Sequence, residues 1–375
     1  MSAVVTRLRR PRSTATEPTL EIDLSAIAAN TRRFAAATQG EVMAVVKADG
    51  FGHGLGDVAR VALTNGASWL GVTSIAEGVA VRATGLTAPV LSWLNPVEVD
   101  VETACRNRLD LAVPSVGHLD AIVAAGCPMR IHLQLDTGLA RDGAAPEEWL
   151  ELVAAARRAE AAGQITVVGV MGHLPAADRP GHPANAEGRL ALQCGAELAV
   201  RAGLRPVVRH LAATAATLTD PSTHLDLVRI GVGLIGIDPS GSTRLRSALR
   251  LVAPVVQVRR VPAGTGVGYG HTYVTDRPTT LALLPIGYAD GLPRAASGRA
   301  EVLVAGRRRP VTGLISMDQT VVDLGDDPVE QGSEAVVFGP GDEGEPAAGE
   351  WAEWAGTIPH EIVTGIGPRV QRCVR

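Results

Sequence analysis

The chain of 375 residues is almost without lysine: of its 35 basic residues 34 are arginine, and Lys47 stands alone. That leaves one side-chain primary amine for any chemistry that needs one, since a guanidinium cannot form a Schiff base. A leftover surface lysine is the plain alternative, and the surroundings of Lys47 must decide. Cysteine is scarce too. Cys105, Cys127, Cys194 and Cys373 are too few for a disulfide framework and too far apart in sequence for a metal cluster, which fits a reducing compartment. No uninterrupted apolar run reaches membrane-spanning length, so no membrane partner is expected. The formal net charge of −4 gives no electrostatic reason to expect nucleic acid as a partner. The opening residues MSAVVTRLRRPRSTATEP are basic, broken by proline and lack an apolar segment, so they read as a frayed leader rather than a secretory signal. A soluble cytoplasmic protein is expected.

What is present is a chain with 46% hydrophobic residues, long enough for a large core or two domains. From about residue 42 to 233, short β-branched runs alternate with alanine-rich stretches of helical period, the pattern of parallel strands joined by crossover helices. The candidate strands lie at 42–47, 69–72, 89–93, 110–114, 130–136, 165–171, 206–210 and 225–230. Eight such units suit a closed (β/α)8 barrel better than an open sheet. After about residue 245 the runs VAPVVQVRRV, TTLALLPI, AEVLVAG and QTVVDL read as a mainly antiparallel β domain, with TLEIDL near the N-terminus as an added strand. The expected organisation is a leader and strand over 1–20, a barrel over 21–240 and a β domain over 241–375.

Lys47 closes the first candidate strand, where a barrel places reactive groups, and glycines 50, 52 and 54 follow it. His173 follows the sixth strand, His210 ends the seventh and Arg229 lies in the eighth, so all would converge at one mouth. Read alone, either histidine fits an ordinary structural role. The strand exit RIGVGLIG can offer backbone N–H groups to a phosphate beside the Thr214 hydroxyl, although a plain barrel turn is the simpler reading of that run alone. Together with a strand-end lysine the pattern suggests pyridoxal 5'-phosphate, its aldehyde on the amine and its phosphate on backbone donors.

The motif AVVKADGFGHG closely resembles the cofactor-lysine motif of the alanine racemase family, usually AVVKANAYGHG. The likeness continues in family order through LDTGLARDG, GVMGHL, RHLAATAATL, VRIGVGLIG, GVGYGHTY, LLPIGYADGLPR, GLISMDQTVVDL and TIPHEIVTGIGPRV. It covers essentially the whole chain after about residue 18.

The resemblance implies a fold-type III pyridoxal phosphate enzyme with a barrel, a C-terminal β domain and a head-to-tail homodimer whose sites use both subunits. Lys47 matches the lysine that binds the cofactor covalently and acts as one acid/base, and Tyr269 matches the opposing base from the second subunit. Racemisation needs a proton removed on one face and returned on the other, which two bases supply. Arg229 matches the arginine facing the pyridine nitrogen, His173 the histidine bonded to that arginine, and His210 a supporting residue. Arg141 matches an arginine at the cofactor hydroxyl and substrate carboxylate. Met317 and Asp318 match residues shaping the substrate end, and Tyr288 an entrance tyrosine, beside Asp290 and Arg294. Thr214, Gly231, Val232 and the region of His360 would meet the phosphate. No metal is implied.

The sequence also departs from the family pattern. Phe51 and His360 stand where the family has tyrosines at the phosphate, and Ala213 and Thr214 replace an Asn-Ser pair. Gln134 replaces a lysine that many members carbamylate, and glutamine can only orient Arg141 by a hydrogen bond. Ile235 replaces a further tyrosine. These changes leave three other readings open beside alanine: a racemase of serine or broader specificity, a fold-type III decarboxylase, or a non-catalytic cofactor-binding protein.

Overall fold

In a computed structural model that describes residues 16–375, the chain divides into two units. One is Leu24–Ala248; the other joins the segment ending at Asp23 to Leu249–Arg375. Of the leader and strand expected over 1–20, the first 15 residues lie outside the described residues. The strand expected at TLEIDL is β1 (Thr19–Ile22), and it belongs to the second unit.

The first unit holds β2 (Glu41–Val45), β3 (Trp69–Val72), β4 (Val90–Ser92), β5 (Asp110–Val113), β6 (Met129–Gln134), β7 (Ile165–Met171), β8 (Val208–His210) and β9 (Leu227–Ile230). They pair in parallel in the order β8-β7-β6-β5-β4-β3-β2-β9. Asp226 N–H donates to the Arg209 carbonyl at 3.1 Å and Arg229 N–H to that of Ala212 at 2.9 Å, which joins the last edge to the first. Eight parallel strands thus close into the expected barrel. Both faces of each strand are covered, one by helices and one by the barrel's filling, which is why the runs are nearly all apolar. Met43, Trp69, Leu91, Ala112, Val168, Met171, Val208 and Leu227 form one buried interior cluster. The first strand ends at Val45, two residues before Lys47, which instead opens a turn.

The second unit is mainly antiparallel, as expected. Its strands are β10 (Leu249–Pro254), β11 (Gln257–Val261), β12 (Gly266–Val267), β13 (Tyr273–Val274), β14 (Thr279–Leu284), β15 (Glu301–Val304), β16 (Arg307–Pro310), β17 (Thr320–Gly325), β18 (Glu334–Phe338) and β19 (Gln371–Val374). A six-stranded sheet runs β16-β15-β18-β10-β1-β19, beside sheets β11-β14-β17 and β12-β13. Two helices, Ala348–Ala355 and Pro359–Thr364, follow β18.

An ion cluster ties β1 into its sheet. Arg250 on β10 is buried and reaches Glu21 on β1 at 3.3 Å and Glu334 on β18 at 2.6 Å. Losing the cation would leave the buried Glu21 carboxylate with Arg375 as its remaining partner, at a cost of about 3 kcal/mol. Arg250→Met should therefore lower the unfolding free energy from urea titration by that amount, and an unchanged midpoint would contradict this role.

Candidate active site

Lys47 begins a turn of unusual hand. Ala48, Asp49, Gly50 and Phe51 all have positive φ, between 52° and 62°. For an L-residue each such conformation costs roughly 1–2 kcal/mol, so the surroundings must hold it. Ala48 N–H donates to Glu77 Oε1 at 2.7 Å, and Leu55 N–H to Asp49 Oδ1 at 2.8 Å. Gly50 has no room for a side chain, since a Cβ there would lie 2.9 Å from Val58 Cγ2. Glu77 Oε2 meanwhile accepts from the N–H and hydroxyl of Thr73, both at 2.8 Å. Ser74 and Glu77 form a capping box on the helix Ile75–Ala83, a pattern visible in sequence as S-x-x-E. Its second use, bracing the turn after Lys47, was not visible there.

Burial pushes the Lys47 ammonium below its ordinary range; the Arg141 charge adds to this, Glu77 opposes it and Arg229 adds again. The effect favours the neutral, nucleophilic amine. Arg141 is exposed on a loop shaped by Asp136, whose Oδ1 accepts from the N–H groups of Gly138, Leu139 and Ala140 at 2.9, 3.0 and 3.2 Å. Thr137 fastens that loop to the next strand exit: its hydroxyl donates to the His173 carbonyl at 2.8 Å and accepts from His173 N–H at 3.0 Å. Gly172 is glycine because a Cβ would come within 2.5 Å of the Thr137 methyl.

Arg229 is the hub of the barrel mouth. It is fully enclosed, yet burial lowers its pKa only to about 10, so it stays cationic at neutral pH. Its Nη1 donates to His210 Nδ1 at 3.1 Å and to the His210 carbonyl at 2.9 Å. Nη2 donates to the carbonyls of Gly172 at 2.7 Å and Leu211 at 3.1 Å, and to His173 Nδ1 at 3.2 Å. Burial, then the charges of Arg229, Arg141 and Lys47, depress His173 to about 3. His210, held well below its ordinary value by burial, passes its other nitrogen to His132 Nδ1 at 2.8 Å. His132 and its neighbour Asp110 escaped the sequence reading, because a strand-borne histidine and a strand-entry aspartate carry no motif.

The phosphate-site candidates lie beside this hub. Among the described residues, the N–H groups of Gly231 and Val232 have no protein acceptor. Thr214 is buried and its oxygen accepts from Gly233 N–H at 3.2 Å. Phe51 is buried against Gly231, where a Cβ would lie 2.8 Å from the ring. Gln134, at the end of β6, is buried.

The remaining candidates belong to the other unit. Tyr269 sits on a short turn between Gly268 and Gly270, both at positive φ, and is 73% exposed. It lines a recess of about 450 Å³ with Ser316, Met317, Asp318 and Gln319. Asp318 pairs with Arg369 at 2.6 Å, and Arg369 with Asp290 at 3.2 Å. Tyr288 N–H donates to the Ser316 carbonyl at 3.0 Å, which holds the two segments together. His360 lies half-buried in the helix Pro359–Thr364.

The donor set fits pyridoxal 5'-phosphate. Lys47 offers an amine for an aldehyde. The Nη hydrogens of Arg229 already have acceptors, and no acceptor among the described residues faces its Nε–H, which suits a basic ring nitrogen. Gly231, Val232 and Thr214 offer donors for a phosphate.

Neutral His132, His173 and His210 make stability sensitive to acid. Their folded pKa values lie below the ordinary 6.5, with His173 at about 3, so the unfolded chain binds protons first as pH falls. Their contribution is complete above 6.5 and is lost as pH falls from there toward the folded values. Each costs about 1.4 kcal/mol per pH unit in that window. The melting temperature of the chain without cofactor should drop steadily from about pH 7 to about pH 5, above most carboxylate titration. A constant value over that range would exclude neutral histidines here.

Comparison with known proteins agrees with this geometry. Residues 22–239 match the alanine racemase N-terminal domain and residues 248–374 the alanine racemase C-terminal domain. The alanine racemase of Salinispora tropica is 47% identical over 361 residues, covering 94% of this chain and 97% of the relative. The crystal structure of alanine racemase from D-cycloserine producing Streptomyces lavendulae superposes with TM-score 0.93 at 45% identity, covering 97% of this chain and 98% of that one. A more distant alanine racemase, from Bartonella henselae with covalently bound pyridoxal phosphate, superposes with TM-score 0.87 at 27% identity, covering 96% and 100%. The chain belongs to the alanine racemase family of pyridoxal 5'-phosphate-dependent enzymes.

Proposed function

We propose that Lys47 and Tyr269, taken from two copies of the chain in a head-to-tail homodimer, are the two bases with which this enzyme interconverts L- and D-alanine. The observation that carries the reading is the division of the site. A depressed amine lies in an enclosed mouth with Arg229, while the tyrosine stands 73% exposed beside Met317 and Asp318 on the other unit. A tyrosine this exposed is not shielded from water within its own unit, so its role calls for a second surface.

Bound pyridoxal 5'-phosphate supplies an electron-withdrawing ring that weakens the Cα–H bond of an attached amino acid. The chain's own groups do the rest. Lys47 Nζ takes or returns a proton at Cα, and the Tyr269 hydroxyl does so from the other side, since inversion requires both faces. Arg229 would offer its Nε–H to the ring nitrogen and, being cationic, would disfavour protonation there. His173, kept neutral, accepts from Arg229 rather than competing with it. Arg141 would meet the substrate carboxylate, with Met317 and Asp318 bounding the substrate end and Tyr288 the approach. Thr214, Gly231 and Val232 bind the phosphate, Phe51 walls it without donating, and His360 occupies the position that would brace Tyr269. His210 and Gln134 orient Arg229 and Arg141. Absence of a long apolar helix among the described residues is consistent with action in the cytoplasm.

In heavy water the enzyme should convert L-alanine to deuterated D-alanine. Lys47→Ala and Tyr269→Phe should each lower kcat by about a hundredfold or more. Mixing the two inactive variants and allowing subunits to exchange should restore about a quarter of the sites, because half the dimers are mixed and each mixed dimer holds one intact site. No recovery despite proven exchange would place both bases in one chain.

Glu77→Gln should weaken cofactor retention with less effect on the melting temperature, because it loosens the turn that presents Lys47 rather than the barrel. Equilibrium dialysis against pyridoxal phosphate measures this directly; unchanged retention would contradict it.

A further inference from the structure

The contacts around Arg229 continue beyond the histidines that border it. His210 Nε2 lies 2.8 Å from His132 Nδ1, and His132 Nε2 lies 3.5 Å from Asp110 Oδ2, within ion-pair range but without hydrogen-bond geometry. Asp110 in turn accepts from Arg130 at 2.8 and 3.1 Å. Asp110 is the first residue of β5 and His210 the last of β8, so the series crosses the barrel interior from the end where strands begin to the end where they finish. His132, His210 and Asp110 are at most 2% exposed.

The chemistry of the two ends leaves one arrangement of protons. Arg229 can only donate, so His210 Nδ1 must be the accepting nitrogen and the proton of this imidazole sits on Nε2. That proton points at His132, whose Nδ1 must accept, which places the His132 proton on Nε2 facing Asp110. An ionised carboxylate can only accept. The opposite assignment would set an imidazole N–H against an Arg229 N–H, leaving two buried donors in conflict.

The rings are also held in place. A Cβ on residue 169 would lie 2.4 Å from His132 Nδ1, so Gly169 on β7 makes the space that ring occupies. The Trp69 ring meets the His132 ring edge-on at 5.6 Å. Burial would lift the Asp110 carboxyl, yet the contacts from His132 and Arg130 outweigh it and hold the group ionised.

We propose that Asp110 is a positioning residue for Arg229: facing His132 Nε2, it holds that ring's proton there, so that His132 Nδ1 accepts from His210 and the His210 ring keeps Nδ1 turned to Arg229. The proposal rests on the reading that Arg229 faces the cofactor ring, but its signature lies in the histidines and is present without turnover.

The test is a two-bond proton–nitrogen correlation spectrum of the full-length chain carrying 15N-histidine, recorded with and without pyridoxal phosphate. Signals of His132 and His210 are assigned from single replacements. Both residues should show the neutral Nε2–H pattern at neutral pH. In Asp110→Ala the His132 Nε2–H loses the carboxylate it faces, so the single pattern should be lost at His132, kcat should fall about ten- to hundredfold, and KM for alanine should stay within about twofold. Asp110→Asn, which keeps an accepting oxygen, should restore the pattern. An Nδ1–H or doubly protonated ring at either position in the parent chain overturns the proposal, as does Asp110→Ala with both patterns intact. Should Asp110→Ala fail to fold, the parent spectrum decides. An intact pattern in a chain that does not racemise alanine would count against the proposed function and leave the relay standing.

Discussion

The buried charge of Arg229 is the constraint on which the barrel mouth depends. A guanidinium enclosed at 5% exposure is tolerable only if nearly every N–H finds an acceptor. The fold supplies them from two consecutive strand exits: the Gly172 carbonyl and His173 after β7, and the His210 ring and carbonyl with the Leu211 carbonyl at the end of β8. Those carbonyls are available because a parallel barrel ends its strands with outward-facing backbone groups at this mouth. The histidines are forced neutral in return, and the Lys47 amine loses proton affinity in the same field. One fixed cation thus adds to burial in lowering the proton affinity of three neighbouring groups.

Around this hub, backbone freedom is spent where side chains must approach closely. Gly172 admits the Thr137 methyl, Gly231 admits the Phe51 ring, and the left-handed run after Lys47 is held by Glu77 and Asp49. The substitution of phenylalanine at position 51 fits the same logic. Its ring fills the wall beside Gly231 by packing, while N–H groups of the strand exit remain as donors for a phosphate.

Much of this was legible in the residues. Eight apolar runs separated by helical stretches suffice to name a parallel barrel, because a strand covered on both faces must be apolar throughout. The single lysine, the strand-end histidines and the glycine-rich exits could be picked out because each has a side-chain or backbone chemistry that few other residues share. Lys47 was expected at the end of a strand and lies two residues past it, since apolar periodicity does not register a reversal of φ. Glu77, Asp110 and His132 could not be found this way. Their partners are 29, 22 and 78 residues distant in the chain, and nothing local marks a side chain whose role is to meet another strand.

The order of apolar and polar residues by itself determined the barrel, the β domain and the family, for these follow from period, composition and ordered motifs. Only the tertiary structure decided which carboxylate holds the lysine turn, how Arg229 is satisfied and which histidines share its hydrogen bonds. Those are decided by distance and orientation across strands, and hydrogen bonds depend on ångströms that a linear order of residues does not contain.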